Sequence, residues 1–108
     1  MYLDEIKKEA ESIGRRLKKS SLPEAAEIFE KCFTVTAETT VKTASKEDTF
    51  LITGDIPAMW LRDSTAQVIC YLPLAKKNAD VADFIEGLCK RQFKCICHDP
   101  YANAYNEV

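Results

Sequence analysis

The chain has 108 residues, of which 46% are apolar and 30% charged, and a formal net charge of −2. This length allows one modest domain with one core, and the composition is ordinary for a soluble globular protein. The mixed charges argue against a nucleic-acid-binding face, and no apolar run approaches the ~20 residues that span a bilayer, so we expect neither nucleic acid nor membrane as a partner.

The first third of the chain is predicted to form two helices. Apolar residues recur at spacings of three and four over residues 2–19, with charged residues between them, which indicates an amphipathic helix. A second helix is predicted to start at Ser21, which can form a capping box with Glu24 and is followed by Pro23 in the first turn. We expect this shorter helix to end near Phe33.

A small β-hairpin is predicted next. Residues 33–43 are rich in β-branched side chains and partly alternate, and residues 49–53 form a second run of the same kind. The polar link at residues 44–48 separates the two runs, as expected for a hairpin or a pair of short strands.

Helical patterning returns after the turn-forming Gly54 and Pro57. An apolar stripe predicts a helix over residues 61–73, and Asn78 is a good cap for a last helix that ends at His98. The sequence therefore predicts a mostly α fold with a small β-hairpin. No linker or repeat divides residues 1–108, which we interpret as a single segment.

The most unusual segment is residues 53–64, which contains two acids, an arginine and the only tryptophan. Arg62 offers a planar fork of donors and Asp63 accepts, so together they can bind neighbouring hydroxyls of one sugar ring, while Trp60 lies against its C–H face. Asp63 or Ser64 is expected to cap the following helix. The alternative is a surface pair of Arg62 and Asp63, with Trp60 in the core.

Three further polar residues are candidates for the same pocket. Asp55 follows Gly54 in a turn-like setting that could expose its carboxylate to a cleft. Asp99 and Asn103 lie among tyrosines in a loop after the last helix, which suits a rim that binds hydroxyl groups. For each of these residues the alternative is a simple turn, where aspartate bonds its own backbone.

The cysteines and the only histidine raise the possibility of a zinc module. Cys95, Cys97, His98 and Asp99 are all of zinc-binding types, but one residue separates the cysteines and no second pair follows. We therefore expect no metal site. The odd count of five cysteines, with no signal peptide at the start, favours reduced thiols and a cytoplasmic location.

Two of these segments resemble the signature of a known family. Residues 52–64, followed by Gln67 and Val68, are similar to the conserved stretch near the N-terminus of glycoside hydrolase family 125, and residues 99–104 resemble its next conserved stretch. Residues 38–41 also fit, and the similarity extends over about residues 28–106. Members of this family are metal-independent, exo-acting α-mannosidases that typically cleave α-1,6 linkages.

The resemblance implies the N-terminal fragment of an (α/α)6 toroid and an inverting mechanism that uses two carboxylic groups and no cofactor. The implied ligand is a mannose-containing glycan. Trp60, Arg62 and Asp63 would line the subsite for the terminal mannose, and the supporting pocket residues would be Asp55, Asp99 and Asn103. The family's acid and base lie beyond Val108, so no catalytic residue is assigned and the fragment alone is expected to be inactive.

An incomplete toroid would leave apolar helix faces partly uncovered. We expect this for the face formed by Phe84, Ile85 and Leu88 in the last helix, and therefore expect the isolated chain to be marginally stable or to self-associate. The alternative to a mannosidase fragment is a non-catalytic helical interaction module from a truncated gene.

Overall fold

Helices dominate the structure, a computed structural model that describes residues 1–108. In chain order the elements are α1 (Tyr2–Lys18), α2 (Ala25–Thr39), β1 (Val41–Thr43), β2 (Phe50–Leu51), α3 (Leu61–Val68), a 3-10 turn (Ile69–Tyr71), α4 (Leu72–Ala75) and α5 (Ala79–His98). The two strands pair antiparallel, with Val41 opposite Leu51 and Thr43 opposite Phe50. The prediction of a mostly α fold with one small hairpin is confirmed.

The second helix is longer than the sequence predicted. Residues 33–39, which we expected to be extended, continue α2, and only Val41–Thr43 form a strand. The hydroxyl of Thr39 donates to the carbonyl of Val35 at 2.7 Å, so this threonine satisfies its polar group within the helix. Thr34 and Ala37 are buried, and packing of this face overrides the β preference of the sequence.

Some of the predicted helix boundaries are confirmed and others are wrong. Asn78 caps α5, because its Oδ1 accepts a hydrogen bond from the backbone N–H of Val81 at 3.0 Å. The capping box at Ser21 does not form, since α2 begins after Glu24 without a side-chain cap. The helix predicted over residues 61–73 is interrupted by the 3-10 turn and restarts as the single-turn α4.

The core lies where α1, α5 and the hairpin meet. Phe84 is only 2% exposed, and its ring stacks on that of Tyr2 with centroids 4.5 Å apart. Leu88 is equally buried, and Ile85 packs against the same cluster. The expectation that the Phe84, Ile85 and Leu88 face would be partly uncovered is therefore wrong for Phe84 and Leu88, which are buried, while Ile85 is half-buried.

Apolar side chains are exposed elsewhere on the surface. Those within α2–α5 and the 3-10 turn are the large side chains of Ile28 and Val35 in α2, Ile69 in the 3-10 turn, Leu72 in α4, and Phe93 and Ile96 in α5. Phe93 is the most exposed of them, at 68%. We call these six residues the open apolar residues.

The molecule is also less compact than its length predicts. Its radius of gyration is 15.0 Å, whereas a 108-residue domain is expected to have about 13 Å. The accessible surface is 6892 Å², compared with about 6,100 Å² expected for a monomer of this mass. Its dimensions are 48 × 26 × 17 Å, so the molecule is elongated.

Two helical glycines give a first testable prediction. A Cβ on Gly87 would lie 1.9 Å from the backbone oxygen of Ser45, whereas a Cβ on Gly14 would meet only the flexible side chain of Glu30. Gly87→Ala is expected to lower the free energy of unfolding by about 1–2 kcal/mol, because overpacking outweighs the better helix propensity of alanine. Gly14→Ala, the matched control, is expected to be near neutral. Urea denaturation of both variants measures the difference, and equal effects would contradict this packing argument.

Candidate functional site

The unusual segment begins with a tight turn after the hairpin. Gly54 has a φ of +57°, which favours glycine, and the N–H of Ile56 donates to the carbonyl of Thr53 at 2.9 Å. Asp55 lies exposed at the tip of this turn, and its carboxylate makes no hydrogen bond within the chain. The carboxylate is therefore available to an external ligand rather than held by its own backbone.

An isolated β-bridge joins the two segments that the sequence singled out. Met59 and Tyr105 exchange two backbone hydrogen bonds, each 2.9 Å long, and both side chains are buried. This contact places the start of α3 beside the loop that follows α5. Residues that are more than forty positions apart in the sequence are thereby fixed close together.

Trp60, Arg62 and Asp63 lie at the start of α3. Trp60 is the N-cap residue in an extended conformation and is half-buried. Arg62 is 93% exposed, and its Nη2 lies 3.3 Å from Oδ1 of Asp63, which is 32% exposed. The structure therefore has the surface pair that the sequence left as an alternative, although the tryptophan is not fully buried.

The expected capping of α3 by Asp63 or Ser64 is not observed. No side chain caps this helix. Ser64 is fully buried and donates to the carbonyl of Leu61 at 3.0 Å, while Asp63 bonds to Arg62. The carboxylate is therefore oriented by the guanidinium rather than by backbone N–H groups.

Asp99 and Asn103 occupy the loop after α5. Asp99 is the C-cap of α5, and its Oδ1 accepts from the N–H of Tyr101 at 3.0 Å, so this aspartate does form a turn. The phenol of Tyr105 donates to the carbonyl of Asp99 at 2.7 Å, and burial raises the pKa of Tyr105, which keeps the donor protonated. Asn103 is exposed, and its side chain makes no hydrogen bond within the chain.

A cavity of about 380 Å³ opens beside this loop. Its polar lining includes Arg91, Lys94, His98, Asp99 and Glu107. Asp99 is the only predicted site residue that lines it. The structure therefore links Trp60, Arg62 and Asp63 to the Asp99 loop through the β-bridge, but it does not gather all six predicted residues around one cavity.

Sequence reasoning missed two side chains of α5 that hold these segments. Arg91 is buried and binds both carboxylate oxygens of Asp48, at 3.0 and 2.9 Å, and it also donates to the carbonyls of Asn106 and Glu107. The side-chain amide of Gln92 in α5 donates a hydrogen bond to the hydroxyl of Ser64 in the first turn of α3. A basic and an amide residue in a helix carry no local sequence signal, so only the packing identifies them.

The structure contains no group of three or more His, Cys, Asp or Glu side chains placed to hold a metal ion. Cys95 is buried while Cys97 is exposed, so the two thiols face different surroundings. No helix combines the length and the apolar character that crossing a membrane would require.

The chain is similar to a family of known enzymes, to a solved structure and to a curated protein. The family described as metal-independent alpha-mannosidase (GH125) matches residues 23–108. A solved α-mannosidase structure from Streptococcus pneumoniae, a non-productive substrate complex with α-1,6-mannobiose, is 43% identical and superposes with a TM-score of 0.84 over 97% of this chain. The meiotically up-regulated gene 157 protein of Schizosaccharomyces pombe is 40% identical over 84 residues, or 74% of this chain.

The similarity covers only part of each relative. This chain spans 24% of the Streptococcus pneumoniae chain and 16% of the Schizosaccharomyces pombe protein. The family match at residues 23–108 spans the turn at Gly54 and the loop at Asn103. The chain belongs to the metal-independent α-mannosidases of glycoside hydrolase family 125.

Proposed function

We propose that this chain is the substrate-binding N-terminal segment of an exo-acting α-mannosidase that hydrolyses α-1,6-mannosides. The observation that carries the proposal is the 43% identity, at a TM-score of 0.84, to a mannosidase captured with α-1,6-mannobiose. The surrounding enzyme would be an (α/α)6 toroid, of which residues 1–108 supply the first helices. The five free cysteines are consistent with a cytoplasmic location for this enzyme.

In this proposal Arg62, Asp63 and Trp60 bind the terminal mannose. The guanidinium and the carboxylate are already paired at 3.3 Å, so a donor and an acceptor stand side by side as two adjacent sugar hydroxyls require. The half-buried indole of Trp60 supplies an apolar surface for the C–H face of the ring. Because Arg62 is 93% exposed, a ligand can reach it without displacing a protein partner other than Asp63.

The remaining predicted residues would form the rim of the same site. Asp55 has a free carboxylate at the tip of its turn, and Asn103 has a free amide in the loop after α5. Asp99 shapes that loop through its bond to Tyr101 and keeps one carboxylate oxygen for a ligand. The bridge between Met59 and Tyr105 holds the two halves of the rim at a fixed distance.

The proposed reaction is a single displacement with inversion at the anomeric carbon. One carboxylic acid protonates the leaving oxygen, and a carboxylate on the opposite side of the ring, about 6.5–9.5 Å away, activates water. We assign neither role to a residue of this chain. Its contribution is to bind and orient the sugar, so we expect the 108 residues alone to bind mannosides without hydrolysing them.

Titration of the chain with α-1,6-mannobiose tests this proposal. Trp60 is the only tryptophan, so its emission reports directly on the proposed subsite. We expect a saturable change with α-1,6-mannobiose, no change with maltose, and no release of mannose. Saturable binding that is equally strong for both disaccharides would contradict the mannose subsite. No response to either sugar would favour the alternative of a non-catalytic helical interaction module.

We further propose that the open apolar residues pack against other helices of the toroid. They lie on four different helical segments, and the expanded shape of the chain leaves them without cover. Helices that lack their neighbours expose apolar side chains, and such exposure favours association. We therefore predict that the isolated 108 residues self-associate as their concentration rises, as measured by sedimentation velocity. Phe93→Lys is expected to weaken the association, and a wild-type monomer at all concentrations would contradict it.

A further inference from the structure

We infer that Gln92 is a positioning residue for the sugar-binding segment, an inference that rests on the proposed function. The Nε2 atom of Gln92 lies 2.8 Å from Oγ of Ser64, 2.9 Å from Oγ1 of Thr65 and 3.2 Å from the carbonyl oxygen of Leu61. All three acceptors belong to the first five residues of α3. No other side chain of α5 is hydrogen-bonded to this helix.

The start of α3 needs such a support because it has no cap of its own. The N-cap residue is Trp60, whose side chain has no oxygen that could accept from the first-turn N–H groups. The nearest acid, Asp63, is bonded to the guanidinium of Arg62. A helix of eight residues without a side-chain cap is only marginally stable by itself. Its stability and orientation therefore depend on contacts with other parts of the fold.

Gln92 also fixes the distance between the two parts of the proposed site. It lies on α5, seven residues before the C-cap residue Asp99, which corresponds to about 10 Å along the helix axis. The bridge between Met59 and Tyr105 provides a second connection on the other side of Trp60. With both connections, the segment from Trp60 to Asp63 cannot rotate freely relative to the loop at Asp99.

The experiment compares Gln92→Met with Asn78→Ala in the full 108-residue chain. Methionine keeps the length of the side chain but removes its N–H donors, whereas Asn78→Ala removes the cap at the opposite end of α5. We expect the backbone amides of Ser64 and Thr65 to exchange with solvent about tenfold faster in Gln92→Met, and the affinity for α-1,6-mannobiose to fall about tenfold. In Asn78→Ala neither quantity should change, although the helix is destabilised.

The two readouts separate the inference from the function on which it rests. If the amides of Ser64 and Thr65 exchange at the wild-type rate in Gln92→Met, the positioning role is wrong, whatever the sugar does. If exchange increases but affinity for mannobiose is unchanged, Gln92 holds α3 without serving the site, and the inference also fails. If the wild-type chain does not bind mannobiose, the proposed function fails, while amide exchange still decides whether Gln92 holds α3. Thr65→Val, at an exposed position, gives a milder test that should move both readouts in the same direction.

Discussion

Replacing Arg62 with alanine is expected to lower kcat/KM for α-1,6-mannobiose by about 10- to 150-fold. The expected loss corresponds to about 1.5–3 kcal/mol, the scale of a hydrogen bond from a charged group to a substrate. The measurement uses a chimera in which this chain replaces the matching quarter of the Streptococcus pneumoniae mannosidase, since the proposed acid and base lie outside these residues. The folding stability should change little, because Arg62 is 93% exposed and its pair with Asp63 is at the surface.

Arg16→Ala is the matched control for this experiment. Arg16 is also exposed, lies in the last turn of α1 and precedes the residues that the family matches. Its removal changes the net charge by the same amount without touching α3. If Arg62→Ala and Arg16→Ala have equal kcat/KM values, Arg62 does not contact the sugar and the proposed subsite is wrong.

The second large effect is expected from Arg91→Met, which should lower the free energy of unfolding by about 2–3 kcal/mol. Arg91 is 9% exposed, and it joins α5 to the hairpin link through Asp48 and to the end of the chain through two backbone carbonyls. Its guanidinium also lies 4.7 Å from the centre of the Phe50 ring. Removing it abolishes the hydrogen bonds of a buried cation to Asp48 and to two carbonyls, and hydrogen bonds to a charged group contribute about 1.5–3 kcal/mol. Water can reach the freed Asp48 carboxylate, which is 38% exposed, so the expected loss stays at the level of these bonds.

Lys90→Met provides the comparison for Arg91. Lys90 is the preceding residue and makes ion pairs with Glu47 and Glu86, but all three side chains are well exposed. Exposed pairs of this kind contribute about 0–1 kcal/mol. Thermal or urea denaturation should therefore show a much larger loss for Arg91→Met than for Lys90→Met, and equal losses would contradict the role of Arg91 as a buried connection.

The helices were predictable where periodicity and caps agree. The pattern over residues 2–19 matches α1 to within one residue, and Asn78 marks the start of α5. The hairpin was predicted, but its first strand was placed too early, because the threonines of α2 bond back to their own helix and a buried face of that helix packs in the fold. Single-sequence patterns do not contain that tertiary contact.

The candidate site was predictable at the level of its segments and not of its arrangement. Trp60, Arg62 and Asp63 stood out because aromatic and charged residues rarely share such a short window. The connections that orient them come from Gln92 and Tyr105, which lie about 30 and 45 residues later. Gln92 has no local pattern that marks it as a partner of α3. Tyr105 belongs to a segment that the sequence singled out, but its pairing with Met59 is a long-range contact that no local pattern contains.

The bridge between Met59 and Tyr105 also constrains the order in which the chain folds. It closes a stretch of about 46 residues, and closing a flexible loop of that length costs roughly 3 kcal/mol of chain entropy. The entropy cost falls when α4 and α5 have already formed, because helical residues are no longer flexible and fewer free residues separate Met59 from Tyr105. We therefore expect the segment from Trp60 to Asp63 to acquire its native geometry late in folding. This step would follow the release of residue 105 from the ribosome rather than the emergence of the segment itself.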